Sequence, residues 1–411
     1  MSVGIDAASP VESGTARIQW AARGMPVLRS ISERLAASGT LAGLRVGVGL
    51  VLEPKTANLA LALRDAGAEV SVYCPGRSTD QATADALRRA GLQVFAEGDA
   101  DDARDLELAR EYLGTSPQII LDDGASIIRL AHREFPEVVD GLLGAAEETT
   151  SGVRPLHAMH GDGALRVPVI SVNDAKSKYL FDNVYGTGQS CVMTLLDVTN
   201  LQLAGRVVVV VGYGWVGKGV AKHAAAFGAR VLVTELDPIK ALQAVHDGHR
   251  VLSLAEAAPE AEVVFAATGI AGAVTFAHVE RMPDDVILAT AGGGDFELPM
   301  SELGALGTAA TVRPGVTAYT MPSGRSVLVI SEGDCLNCTD GEGNPIEVMD
   351  LSLSLQALAA EQIAVEARDW PPGIYPISAE LEAAVAITRL QHEGASLEPL
   401  TPQLEAAMRS W

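Results

Sequence analysis

Gly205-Arg-Val-Val-Val-Val-Val-Gly-Tyr-Gly-Trp-Val-Gly217 decides the fold. Five valines in a row form a short apolar β-branched run, as expected of a strand covered on both faces. The run ends in Gly212-x-Gly214-x-x-Gly217, with helix-forming residues from Lys218 to Phe227 behind it. In that strand–turn–helix setting each glycine has a physical task. Gly212 permits a tight turn, Gly214 lets the backbone approach a pyrophosphate, and Gly217 lets helix and strand pack closely. Trp215 and Val216 complete the turn at the helix start. The next strand, Arg230-Val-Leu-Val-Thr-Glu235, ends in a carboxylate that can accept hydrogen bonds from a ribose diol and would repel a 2′-phosphate. Together these features predict a nucleotide site that favours NAD over NADP.

The same alternation extends in both directions. Upstream, Leu44-Arg-Val-Gly-Val-Gly-Leu-Val-Leu52 reads as a strand and Thr56 to Ala66 as a helix. Glu69-Val-Ser-Val-Tyr73 and Gln118-Ile-Ile-Leu121 read as further strands. Downstream come Val263-Val-Phe-Ala-Ala-Thr-Gly269, Val286-Ile-Leu-Ala-Thr290 and Ser326-Val-Leu-Val-Ile330. A helix over Val348 to Ala367 follows, then a linker-like Trp370-Pro-Pro-Gly-Ile-Tyr-Pro376 and a last helical stretch. The expected class is α/β, with two Rossmann-like, doubly wound domains built on parallel sheets.

Composition bounds the function. The 411 residues carry 30 Lys+Arg against 52 Asp+Glu, a formal net charge of −22, and aromatics make up 4%. That balance excludes a nucleic-acid groove or an anionic membrane surface, which require clustered positive charge and, for single strands, stacking rings. The apolar runs fall far short of the ~20 residues that span a bilayer. The first twenty residues lack the basic start and apolar stretch of a leader, so a cytoplasmic location is expected. Four cysteines are too few for a disulfide scaffold. Cys335-Leu-Asn-Cys338 has no second pair, and none of the eight histidines falls in an H-x-x-x-H pair, so no metal is expected.

Three polar segments stand out. Asp122 and Asp123 follow a short buried strand, where α/β sheets gather ligands, although by position alone a solvated turn or helix cap is the simpler reading. Glu147-Glu-Thr-Thr-Ser-Gly-Val153 is a helix cap or a ligand-facing loop. Asn173-Asp-Ala-Lys-Ser-Lys-Tyr-Leu-Phe-Asp-Asn183 puts Lys178 and Asp182 four apart, on one face of a helix. Spacing alone makes that pair a surface salt bridge.

These segments, with Ile18-Gln-Trp-Ala-Ala-Arg-Gly-Met-Pro-Val-Leu28, Phe181-Asp-Asn-Val-Tyr-Gly186, Val211-Gly-Tyr-Gly-Trp-Val-Gly-Lys-Gly219 and Thr234-Glu-Leu-Asp-Pro-Ile239, resemble the S-adenosyl-L-homocysteine hydrolase family in order and spacing. The resemblance implies a substrate domain of residues 1–186 with a return segment 344–395, around an NAD domain of 187–343, and a short tail 396–411. It implies oxidation of a nucleoside 3′-hydroxyl by tightly held NAD, loss of the C4′ proton, elimination at C5′, addition of water and re-reduction. Lys178 and Asp182 would act on the 3′-hydroxyl, Glu148 on the ribose diol, and Asp123 near C5′. A lysine among polar groups can have its pKa lowered enough to serve as a base. Thr149, Thr150, Ser151, Asn183, Glu235, Thr268 and Asn337 match cofactor contacts. Glu53, Lys55, Thr56 and Asn344 fall at substrate positions. A homodimer or homotetramer is implied.

The chain also departs from the family. Histidines are missing at Val51, within Thr290-Ala-Gly-Gly-Gly-Asp295, and at Asn344 of Gly343-Asn344-Pro345. Glu53 and Lys55 replace a Thr and a Glu/Gln that contact adenine, reversing the local donor and acceptor pattern. The expectation is therefore a repurposed relative, a dehydratase or lyase on another nucleoside. The alternatives are an ordinary adenosylhomocysteine hydrolase and a non-catalytic NAD-binding homologue.

Overall fold

The computed structural model describes residues 10–293 and 295–411. The first residues of the stretch read for a leader, and Gly294, lie outside the described residues. Two sheets organise the chain. The first is wholly parallel and carries β1 (Arg45–Gly49), β2 (Glu69–Tyr73), β3 (Gln93–Phe95), β4 (Ile119–Asp122), β5 (Gly144–Glu147) and β6 (Pro168–Ser171). The second carries β7 (Val207–Val211), β8 (Arg230–Thr234), β9 (Arg250–Val251), β10 (Val263–Ala266), β11 (Val286–Thr290), β12 (Thr308–Arg313), β13 (Val316–Thr320) and β14 (Ser326–Ile330). β15 (Gly373–Pro376) returns to the first sheet, whose order is β15-β6-β5-β4-β1-β2-β3. The second runs β12-β13-β14-β11-β10-β7-β8-β9.

Both orders reverse once, between β4 and β1 and between β10 and β7. At such a point the crossovers diverge to opposite faces and leave a crevice beyond the strand carboxyl ends. Asp122 ends β4 at the first reversal, and Gly212 follows β7 at the second. All five valines of β7 are buried, each contributing about 1.5 kcal/mol or more by leaving water.

Two expectations need correction. The second sheet is mixed, because β12, β13 and β14 pair antiparallel. Pro314-Gly315 and Pro322-Ser323-Gly324 are too short for a parallel crossover, and Gly315 and Gly324 take the left-handed φ values (+72° and +83°) that such turns demand. The supposed linker Trp370–Pro376 ends in β15, parallel to β6. Its prolines are tolerated because the strand lies at the sheet edge, where one ladder face needs no N–H donors.

The helix Ile346–Glu366 carries the chain back to the first sheet and is buried on nearly all sides, with Leu351, Leu353, Leu355, Leu358 and Ile363 in the core. It is long and apolar enough to cross a membrane by composition, yet most of it is packed inside the protein. Its buried Asp350 accepts from the amides of Val27 and Leu28 at 3.1 and 2.9 Å, capping the helix Pro26–Ser38, whose own N-cap is Met25.

Candidate active site

The loop after β4 fixes one wall of the site. Gly124 and Ala125 are both left-handed (φ +84° and +54°), and their amides converge on the buried Glu147 carboxylate at 2.9 Å each. Thr149 donates its amide to the same group at 2.9 Å. Asp122 accepts from the amides of Asp123 at 3.0 Å and Ile128 at 2.8 Å. Glu147 and Asp122 therefore shape the turn, and the residues beside them, Glu148 and Asp123, are presented to the crevice. Burial, and the neighbouring Asp122 and Asp182 against the opposing Lys178, leave the Asp123 carboxyl raised to about 6.

Lys178 sits at the centre of the cluster and is buried. Its Nζ lies 2.7 Å from Asp182 Oδ2, 3.1 Å from Asn183 Oδ1 and 3.7 Å from Glu148 Oε1. Asp182 and Asn183 open a π-helical turn, Asp182–Thr187, whose wider ring re-aims their side chains inward. The expectation of a depressed lysine pKa is overturned. Burial pushes the Lys178 ammonium down, but Asp182 and Glu148 outweigh it and the net shift is upward. The surface-salt-bridge reading fails as well, because both partners are buried. Burial pushes Glu148 up, and with Lys178, Asp182, Ser352 and Gln356 around it the carboxyl settles at about 7.

Glu148 is held from the returning helix. Gln356 Nε2 donates to its Oε2 at 2.6 Å, and Ser352 donates its hydroxyl to Oε1. Sequence reasoning missed both residues. The available signal was Ser352, Ser354 and Gln356 breaking an otherwise apolar helix. Asn344, where the family resemblance implies a histidine, enters the same network. Its Nδ2 lies 2.6 Å from Asp182 Oδ1 and 3.1 Å from Thr187 Oγ1, and its Oδ1 accepts from Ser190 at 2.8 Å and Asn337 at 3.0 Å.

A second group lies across the Glu342–Asn344 loop. Glu53 caps the helix Pro54–Asp65, accepting from the amides of Lys55 at 2.8 Å and Thr56 at 3.3 Å. The buried Lys55 Nζ is 2.8 Å from Glu53 Oε2 and donates to Glu342 O at 2.7 Å. Burial raises the Glu53 carboxyl while Lys55 lowers it, and burial prevails.

The glycine turn fits a dinucleotide. A side chain on Gly217 would lie 2.0 Å from Gly212 O, and one on Gly212 would meet Thr268 Cγ2 at 2.9 Å; above Gly214 there is open space. Glu235 accepts from the amides of Tyr213 and Leu236 at 2.7 Å each and Asp237 at 3.0 Å, so its carboxylate is fixed across the turn. Thr268 is held by the buried Glu297 through its amide at 2.8 Å and its hydroxyl at 2.6 Å. Trp215 stacks on Tyr179 of the lysine segment, ring centroids 4.7 Å apart. Arg154 donates to Gly269 O at 3.0 Å, a further contact between the two sheets' units. Thr150 donates to Asn173 Oδ1 at 3.0 Å, while Thr149 and Ser151 lie at the start of the helix Thr150–Gly161. Among the described residues no group of three or more His, Cys, Asp or Glu is arranged to hold a metal ion.

The profile described as "S-adenosyl-L-homocysteine hydrolase, NAD binding domain" matches residues 183–343, and "S-adenosyl-L-homocysteine hydrolase" matches residues 4–135. The chain belongs to the S-adenosyl-L-homocysteine hydrolase family. It is 45% identical to an S-inosyl-L-homocysteine hydrolase of Methanopyrus kandleri over 97% of this chain and 95% of that one. It is 40% identical to an adenosylhomocysteinase of Thermotoga maritima, covering 98% and 100%. A third relative, an S-inosyl-L-homocysteine hydrolase of Methanothermobacter thermautotrophicus, is 40% identical over 97% and 96%. The family is one of NAD-dependent hydrolases, and this member is an enzyme of that kind with NAD as cofactor.

Proposed function

We propose that the protein hydrolyses the C5′ thioether of an S-ribonucleosyl-L-homocysteine, releasing the nucleoside and homocysteine. The alternative hydrolase reading thus displaces the repurposed dehydratase, because the relatives named above are hydrolases and none supports elimination alone. In net terms the C5′–S bond breaks, the sulfur leaves as a thiol with one proton of water, and the hydroxyl of that water bonds to C5′.

The Gly212–Gly217 turn, Glu235, Thr149, Thr150, Ser151, Asn183, Thr268 and Asn337 would hold NAD, which would supply a reversible two-electron acceptor for the 3′ carbon. The chain's own residues do the rest. Glu148, fixed by Ser352 and Gln356, accepts from the ribose diol. Lys178 and Asp182 hold and move the proton at the 3′ oxygen. Once Asp182 and Glu148 turn to substrate hydroxyls, Lys178 loses the carboxylates that keep it charged, and its pKa falls toward a base's range. Asp123, with its carboxyl at about 6, is suited to exchange a proton at C5′ near neutral pH. We read residues 1–186 and 344–395 as the substrate side, 187–343 as the cofactor side and 396–411 as a tail. A homodimer or homotetramer is proposed on the family resemblance alone.

The Glu53–Lys55 pair carries the choice of base. A 6-oxopurine offers an N1–H donor and an O6 acceptor, which a carboxylate and an ammonium satisfy together. With Glu53 facing ring position 1 and Lys55 facing position 6, adenine, with its N1 acceptor and N6 donor, would meet a like group at each. The S-inosyl thioether is therefore the favoured substrate.

The test is to incubate the NAD-loaded protein with each thioether in heavy water and follow homocysteine and C4′ deuterium. Homocysteine with an intact hydroxylated nucleoside supports hydrolysis. A 4′,5′-unsaturated nucleoside as the end product, or no thiol from either substrate, overturns it.

A further inference from the structure

The two cysteines of the C-x-x-C segment have no part in the chemistry above, yet they flank Asn337. Cys335 Sγ lies 4.0 Å from Cys338 Sγ and 2.9 Å from Asn337 Oδ1, to which its thiol donates. Both cysteines are partly exposed. Asn337, between them, is buried and passes its own amide protons to Ser190 Oγ and Asn344 Oδ1, each at 3.0 Å. Asn344 in turn holds Asp182 at 2.6 Å. Three hydrogen bonds in line thus run from a pair of vicinal thiols to the partner of Lys178.

We propose that Cys335 and Cys338 form a reversible disulfide that switches the site off by displacing Asn337. The oxidant is a low-molecular-weight disulfide. The Cys335 thiolate attacks one of its sulfurs and expels one small thiol, and the Cys338 thiolate then attacks the mixed disulfide and expels the second. The two cysteines lose two protons and two electrons, and the oxidant is reduced to two thiols. The Cys335 thiol beside it, together with burial, pushes the Cys338 thiol up, so Cys335 meets the oxidant and Cys338 closes the bridge. Two consequences follow for Asn337. Its Oδ1 loses the thiol donor, and the turn must tighten as the sulfurs close to about 2 Å. The nearby Cys191, fully buried, is the competing partner to be excluded by mapping.

The experiment treats the NAD-loaded protein with excess oxidised glutathione. Intact mass and peptide mapping are expected to show the loss of two hydrogens and a Cys335–Cys338 link. Homocysteine release should fall about tenfold, the scale of one lost hydrogen bond, and return with dithiothreitol. NAD release, followed without substrate, should quicken by a similar factor. Cys338→Ser, or Cys338→Ala should the serine variant be unstable, should keep its activity through the treatment. Four free thiols after treatment, a link involving Cys191 instead, or a mapped Cys335–Cys338 bridge that changes neither turnover nor NAD release overturns the proposal. The inference rests in part on the hydrolase reading. That reading fails separately, if the reduced protein releases no thiol, whereas the bridge and NAD release are read without substrate.

Discussion

Asn344 donates to Asp182 across 2.6 Å, joining the loop before the returning helix to the π-helical turn Asp182–Thr187. Asn344 is an amide that fixes a carboxylate, and that carboxylate in turn holds Lys178 at 2.7 Å. A neutral amide cannot carry a proton as imidazole does, and in the proposed mechanism proton transfer falls to Lys178, Asp182 and Asp123.

Lys178→Ala removes the central cation. Turnover is expected to drop about 10³-fold or more, within the range for loss of a general acid–base group, while NAD remains bound. Retained turnover at the wild-type rate would refute the assigned role.

Glu235→Ala deletes a carboxylate fixed by three amides opposite the glycine turn. NAD affinity should weaken about tenfold or more, as for a hydrogen bond to a charged group, and discrimination against NADP should relax. Titration by intrinsic fluorescence measures both, and unchanged NAD affinity would contradict the cofactor site.

Gln356→Leu leaves one oxygen of Glu148 without its donor inside the core. A cost of about 1–3 kcal/mol to stability is expected, with a raised KM because the diol-facing carboxylate loses its orientation. A variant with wild-type melting temperature and KM would show that Gln356 does not position Glu148.

The raised carboxyls set a pH dependence of stability. Glu148 at about 7 and Asp123 at about 6 stay protonated in the folded protein over a range where the unfolded chain has already ionised. The folded state binds more protons there, so stability falls as pH rises from about 4 to about 7. In melting curves without substrate, Asp123→Asn should gain on the wild type as pH rises through 6. A difference that does not change with pH would rule out the buried acid.

Much of the fold was legible because period and punctuation were local. The Val207–Val211 run, the glycine turn and Glu235 lie within about thirty positions and need no distant partner to be read. The β12–β14 hairpins escaped notice because β12 is exposed throughout and carries no hydrophobic alternation. β15 escaped because three prolines in seven residues read as linker, while its pairing partner β6 lies some two hundred positions away. At the site, spacing suggested the Lys178–Asp182 pair but not its burial; the lowered lysine pKa came with the family resemblance, and the buried Asp182 and Glu148 carboxylates reverse it. Ser352, Gln356 and Glu297 act through contacts more than two dozen positions apart, which no local pattern encodes. Glu53 shows the opposite limit, for one carboxylate both caps a helix and pairs with Lys55.

The measurement that bears most directly on the account is kcat/KM for homocysteine release from S-inosyl- and S-adenosyl-L-homocysteine by the NAD-loaded protein. The buried Glu53–Lys55 pair predicts a preference for the inosyl thioether of about 10²-fold or more, the scale of two mismatched charged hydrogen-bonding groups. Faster release from the adenosyl thioether would contradict the base assignment, and release from neither would contradict the hydrolase itself.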